Sequence, residues 1–204
     1  MDLLSRILPK RLQGAEAFRS ARGHLGFNVL EFWQWSVSDL VSNATRGRLA
    51  EFLVAKALCI STSGVRDEWA ACDLLTAEGM KIEVKSSAYL QSWAQTRPSS
   101  IVFSVRKARA WDPDSNRQAA VPTREAVVYV FALLAHRDKA TLDPFDVDQW
   151  EFYVVPTSLL NERQRSQHSI TLNSLRKLGA GPVPFNELLE AVRVAGRGFE
   201  PQSG

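Results

Sequence analysis

The sequence predicts an α/β domain in which a mixed, mainly antiparallel central sheet is flanked by helices, with extra helices at both ends. Three stretches carry that expectation. Residues 126–134 (AVVYVFALL) and 150–155 (WEFYVV) are near-continuous apolar runs of strand length, as expected for strands covered on both faces. Lys81-Ile82-Glu83-Val84-Lys85 alternates strictly, so Ile82 and Val84 face one way and Lys81, Glu83 and Lys85 the other. Residues 46–58 (RGRLAEFLVAKAL) are strong helix formers, preceded by Ser42, Asn43 and Thr45 as candidate caps.

Along the chain, residues 23–41 place Leu25, Val29, Leu30, Phe32, Trp33, Val37, Leu40 and Val41 at helical spacing, which predicts a helix leading into the 46–58 helix. Trp33 and Trp35 are suited to stacking on single-stranded bases, but packing between the two helices is the expected use. On the second helix, Glu51 lies on the stripe of Gly47, Val54, Ala55 and Leu58, away from the charged face. A carboxylate there needs compensation. Arg48 at i−3 is one source, and a metal site is the other.

Residues 71–76 (ACDLLT) read as an apolar strand with Asp73 in its middle. Ala77-Glu78-Gly79-Met80 reads as a hairpin-like turn into the Glu83–Lys85 strand. So short a turn would set Asp73 alongside Glu83. Residues 100–105 predict a third strand, and residues 111–116 a turn-rich loop. Asp138, Asp143, Asp146 and Asp148 lie in a loop between the two apolar strands, without the glycine and terminal glutamate of a calcium-binding loop, so a solvated loop is expected. Helices are expected over 157–163, 172–178 and 185–194. Residues 1–195 are read as one domain and 196–204 as a disordered tail.

The chain has 204 residues and a formal net charge of +3, with a pI near 9.0, which permits nucleic-acid binding without requiring it. Local basic candidates are Arg97, Arg106, Lys107 and Arg109, with Arg163, Arg165, Arg176 and Lys177 further on. Cys59 and Cys72 lack metal-type spacing and sit in apolar surroundings, so reduced core thiols in a cytoplasmic protein are expected. No apolar run reaches membrane-spanning length. His24, His136 and His168 form no zinc-type grouping. Ser86 and Ser87 lack a nucleophile elbow and a nearby histidine.

The order Glu51 on a helix, Asp73 on a strand, then Glu83-x-Lys85 on the next strand resembles the PD-(D/E)XK, or restriction-endonuclease-like, nuclease superfamily. Cys72 stands where that motif often has proline. The resemblance implies a restriction-endonuclease-like core and a metal-dependent nuclease. Asp73 and Glu83 would be metal ligands, Glu51 a helix-borne acid of the same site and Lys85 the catalytic lysine. It also implies Mg²⁺ or Mn²⁺ as cofactor and nucleic acid, by preference DNA, as substrate.

The chemistry suits those residue types, because Mg²⁺ takes oxygen ligands and a lysine supplies a mobile point charge. Ser87 and Gln91, just beyond the Glu-x-Lys strand, are possible accessory residues, Gln91 either touching the substrate or capping a turn. Two alternatives stay open, a catalytically inactive nucleic-acid-binding or assembly module of the same fold and an RNA-directed nuclease. A homodimer is compatible with the sequence.

Overall fold

The computed structural model describes residues 4–199. It is a mixed α/β structure whose elements run β1 (Ala17–Ser20), β2 (Gly23–Asn28), α1 (Val29–Val37), α2 (Asn43–Ala57), β3 (Leu74–Leu75), β4 (Lys81–Ala88) and β5 (Val102–Ser104). They continue with β6 (Trp111–Asp112), β7 (Arg117–Gln118), β8 (Val128–Leu134), β9 (Trp150–Pro156), α3 (Thr157–Glu162), β10 (Ser169–Thr171), α4 (Leu172–Lys177) and α5 (Leu188–Ala195).

The central sheet has the order β3-β4-β8-β9. Both outer pairings are antiparallel, and the central one, from Ile82↔Val128 to Ala88↔Leu134, is parallel. Every residue of β8 is buried, which is why its sequence shows no polar alternation. On one face Ile82, Val84, Val128, Val130, Ala132 and Phe152 pack against Ala50, Leu53 and Val54 of α2 and Leu188 and Val192 of α5. On the other, Tyr129, Phe131, Leu133, Tyr153 and Val155 pack against Phe103, Ile170, Leu172 and Leu175.

Several expectations need correction. Residues 23–41 are not one helix. Gly23 and Gly26 adopt φ of +115° and +80°, outside the helical region, and β2 pairs with β1 as a hairpin. The helix starts only after Asn28, whose side chain accepts from Glu31 N while the Glu31 carboxylate accepts from Asn28 N. α1 buries none of its side chains, and Trp35 is 85% exposed, so that tryptophan does not fill a helix–helix seam. Leu30 and Trp33 instead close over Gly14, where an added Cβ would lie 3.3 Å from Leu30 Cβ.

The strand expected at 100–105 does not join the central sheet. β5 pairs antiparallel with β10, because Ile101, Phe103 and Val105 point inward onto the Phe131 face as a covering ribbon. The strand expected at 71–76 is shorter, and Asp73 sits immediately before β3. Residues 111–116 open a small β6–β7 hairpin. Cys59 is not a core thiol: the chain leaves α2 there with φ +56° and the side chain is exposed, while Cys72 is half-buried. Phe185–Glu187 forms a 3-10 turn ahead of α5.

Of the expected tail, 196–199 continue from α5 as turns, with Gly196 N donating to Val192 O and Phe199 N to Gly196 O; 200–204 lie outside the described residues. Asp138, Asp143 and Asp146 each accept from a backbone N–H of their own loop, as a solvated turn requires. Among the described residues no helix is long and apolar enough to cross a membrane.

Candidate functional site

Glu51, Asp73, Glu83 and Lys85 converge at the β3 side of the sheet. Register does most of this. Leu74 pairs with Ile82, so Asp73 continues the ladder beside Glu83, and its Oδ2 accepts from Val84 N at 2.8 Å. The turn that sets the register is closed by Gly79 N donating to Thr76 O and Thr76 N to Met80 O, with Gly79 at φ +84°. Lys85 shares the Glu83 face of β4. Its ammonium lies 2.5 Å from Glu83 Oε1 and 4.0 Å from Asp73 Oδ2.

Glu51 arrives from α2. Its side chain is 13% exposed, beside the fully buried Ala50 and Val54, and its partner is not Arg48. Arg66, in the loop between α2 and β3, clasps both its oxygens, with Nε on Oε2 and NH2 on Oε1 at 3.0 Å. The same guanidinium reaches Glu68 at 2.6 Å and Asp73 at 3.7 Å. Arg66 was not a candidate on sequence. The charged run Arg66-Asp67-Glu68 between the two acid-bearing elements is the signal that marks it.

Electrostatics follow from this crowding. Burial pushes the Glu51 carboxyl above its ordinary range and Asp73 adds to that, while the bond from Arg66 and the Lys85 charge oppose it. Burial likewise raises Glu83, with Asp73 and Glu51 adding and Lys85 opposing. Burial and the nearby Glu83 charge lift the Tyr129 hydroxyl to about 12, so it stays a neutral phenol in the physiological range. The Arg66 guanidinium is strengthened as a cation chiefly by its bond to Glu51.

Two clefts open on these residues. One of about 510 Å³ is lined by Arg48, Glu51, Phe52, Arg66, Cys72 and Asp73, among others. A smaller one of about 250 Å³ joins Asp73 and Glu83 to Glu68, Trp69, Arg109 and Trp111. Larger clefts flank α5, but no site carboxylate lines them.

Among the described residues, no group of three or more His, Cys, Asp or Glu side chains is disposed as a metal-ligand set. Arg66 and Lys85 stand among the acids. The donor chemistry nonetheless suits a hard divalent cation: Asp73, Glu83 and Glu51 offer oxygen only, and burial, chiefly, raises the proton affinity of Glu51 and Glu83.

Gln91 is not at this site. It is 7% exposed and donates to Ala88 O at 3.1 Å and Ser99 Oγ at 3.3 Å, while its backbone N–H donates to Gln95 Oε1. It belongs with Arg46, 3% exposed, which donates to Val41 O, Asn43 Oδ1 and Ser86 Oγ. Ser87 is half-buried on the Glu83–Lys85 face. Of the basic candidates, Arg176 donates to Tyr153 OH and lies over that ring, and Arg163 donates to Ser169 O. Arg97, Arg106, Lys107, Arg109, Arg165 and Lys177 are exposed.

No protein-family model matches this chain, and a search of curated proteins returns no match.

Proposed function

We propose that the protein is a divalent-cation-dependent nuclease that hydrolyses phosphodiester bonds, with DNA as the substrate the motif resemblance favours. The observation that carries this reading is the convergence of Glu51, Asp73 and Glu83 with Lys85 beside open clefts. Three carboxylates share this half-buried place with two cations, Arg66 and Lys85, and a bound divalent cation would offset the repulsion that remains. The restriction-endonuclease-like core belongs to the same proposal. It is supported by an acid-bearing helix ahead of adjacent antiparallel segments that carry Asp73 and Glu83-x-Lys85.

In this reading Asp73 and Glu83 hold the cation and Glu51 completes its surroundings. When bound, Mg²⁺ or Mn²⁺ supplies an acidified water and neutralises charge on the phosphoryl oxygens. Lys85 then donates to the scissile phosphate or the attacking water, an ammonium on a flexible stem being suited to following charge as it develops. Val84 N fixes Asp73 Oδ2, while Oδ1 lies 3.7 Å from the Arg66 guanidinium. Tyr129, buried and neutral, is a neighbouring hydroxyl with a proton to donate.

One rival has an observation in its favour. Arg66 and Lys85 already compensate the acids, which is what a nucleic-acid-binding or assembly module without catalysis would need. Incubation with supercoiled, linear, single-stranded and branched DNA and with RNA, with Mg²⁺, Mn²⁺ or EDTA, separates the two. Metal-dependent cleavage of DNA is expected. Intact substrates under every condition would establish the rival, and cleavage confined to RNA would reassign the substrate.

A further inference from the structure

A line of arginines leads away from the carboxylates. Arg109 borders the smaller cleft together with Asp73 and Glu83. Its neighbour Ala108 bridges to Thr123, and the next residue is Arg124. The Arg124 guanidinium is fixed entirely by uncharged acceptors: Nε on Val105 O at 2.9 Å, NH1 on Asn161 Oδ1 at 2.5 Å, and NH2 on the backbone and side-chain oxygens of Gln167 at 3.0 and 2.9 Å. Gln167 in turn donates to Arg163 O at 2.7 Å, and Arg163 itself donates to Ser169 O at 3.3 Å.

Gln167 therefore links Arg124 to Arg163, and the exposed Arg165 follows two residues on. Partial burial, then the charges of Arg124 and Arg165, lower the proton affinity of Arg163. Among the described residues, none of Arg109, Arg124, Arg163 and Arg165 has a carboxylate within 4.0 Å. Guanidiniums held together without a counter-ion repel, and that repulsion is relieved when an anion lies among them. A single small anion would span one guanidinium or two. A line that begins at the cleft and continues past Arg124 to Arg165 matches an anion that repeats along its length.

We propose that Arg109, Arg124, Arg163 and Arg165 form a track for the phosphodiester backbone of a nucleic acid, delivering it to the cleft of Asp73 and Glu83. The delivery end of this inference rests on the nuclease reading; the track itself does not. Arg124 also ties two loops together, so the test is placed on Arg163 and Arg165.

Fluorescence anisotropy in EDTA, with labelled duplex DNA of about 20 base pairs, single-stranded DNA and duplex RNA as probes, compares the wild type with R163Q/R165Q, R163K/R165K and R193Q. Each phosphate contact contributes about 0.9 to the slope of log affinity against log salt on duplex DNA. R163Q/R165Q should therefore lose about two units of slope and roughly 50-fold in affinity near 0.1 M salt. R163K/R165K keeps both charges and should keep the slope. R193Q, an exposed arginine on α5, should match the wild type.

An unchanged slope in R163Q/R165Q, a slope lost equally in R163K/R165K, or a wild type that binds inorganic phosphate but none of the three probes overturns the track. Cleavage by the wild type with an unchanged R163Q/R165Q slope removes the track and leaves the nuclease reading standing. A lost slope without wild-type cleavage in any metal does the reverse.

Discussion

Arg66 grips both carboxylate oxygens of Glu51 from a loop position 15 residues further along the chain, and it reaches Asp73 from the same guanidinium. This ion pair holds the α2–β3 loop against the site and sets a guanidinium where a metal reading of Glu51 and Asp73 needs a cation. On the proposed function, an arginine and a divalent cation would compete for the same acids.

Arg66→Gln should accordingly separate stability from metal affinity. Without metal, the half-buried Glu51 loses its partner and the melting temperature should fall by the equivalent of about 1–2 kcal/mol, a figure kept low because Arg66 is itself partly exposed. Mn²⁺ affinity, read by calorimetric titration, should rise several-fold because the competing cation is gone. A variant that is less stable and binds Mn²⁺ no better would mean that Arg66 braces the loop without occupying the cation's place.

Lys85→Ala should abolish metal-dependent cleavage by about 10²-fold or more, since removal of a donor aimed at developing charge costs that much. It also strips Glu83 of its ammonium partner at 2.5 Å. A modest stability loss of about 1 kcal/mol is therefore expected alongside. The double variant Glu83→Gln/Lys85→Ala removes both charges and should recover that loss while staying inactive. Cleavage retained in Lys85→Ala would remove the lysine from the mechanism, and a double variant less stable than the single would show that Lys85 supports the fold by packing.

The raised carboxyls make the metal-free protein sensitive to pH in a stated direction. Glu51 and Glu83 bind protons more tightly folded than at their ordinary value of 4.5, so their contribution to stability is full below 4.5 and is lost as pH rises through the folded values. The lowered carboxyls Glu16, Asp67, Glu78, Asp112 and Glu125 act the other way only beneath their ordinary range. Melting temperature in EDTA should rise as pH is brought from neutral toward 5. Glu51→Gln/Glu83→Gln should flatten that rise, and an equal rise in the double variant would place its origin elsewhere.

Legibility in the sequence followed the range of each interaction. The unbroken apolar run of β8 is visible because burial on both faces leaves it no polar positions, and the Glu83–Lys85 face because strand alternation is local. Gly79 and a short turn were enough to bring Asp73 beside Glu83. At 23–41 the apolar spacing suggests one helix, but the glycines at 23 and 26 and the Asn28-x-x-Glu31 box override it. Arg66, Arg124 and Arg46 were hidden for another reason. Their partners lie tens of residues away, or in loops whose paths no periodicity records.

The sequence leaves Gln91 open between touching the substrate and capping a turn, and its bond to Ala88 O favours the turn. Its amide nitrogen donates to Ala88 O and Ser99 Oγ, and Arg46 approaches its oxygen at 3.5 Å. Burial lowers the proton affinity of Arg46, and each neutral acceptor around that guanidinium helps keep the charge in place. Gln91→Ala should therefore cost about 1–3 kcal/mol, the penalty for leaving buried polar groups without partners. Mn²⁺ affinity and cleavage per folded molecule should be unchanged, because none of these contacts reaches Glu51, Asp73, Glu83 or Lys85. Denaturant melts together with Mn²⁺ titration at a temperature where the variant is fully folded make the comparison. A stable variant with impaired cleavage would return Gln91 to the substrate.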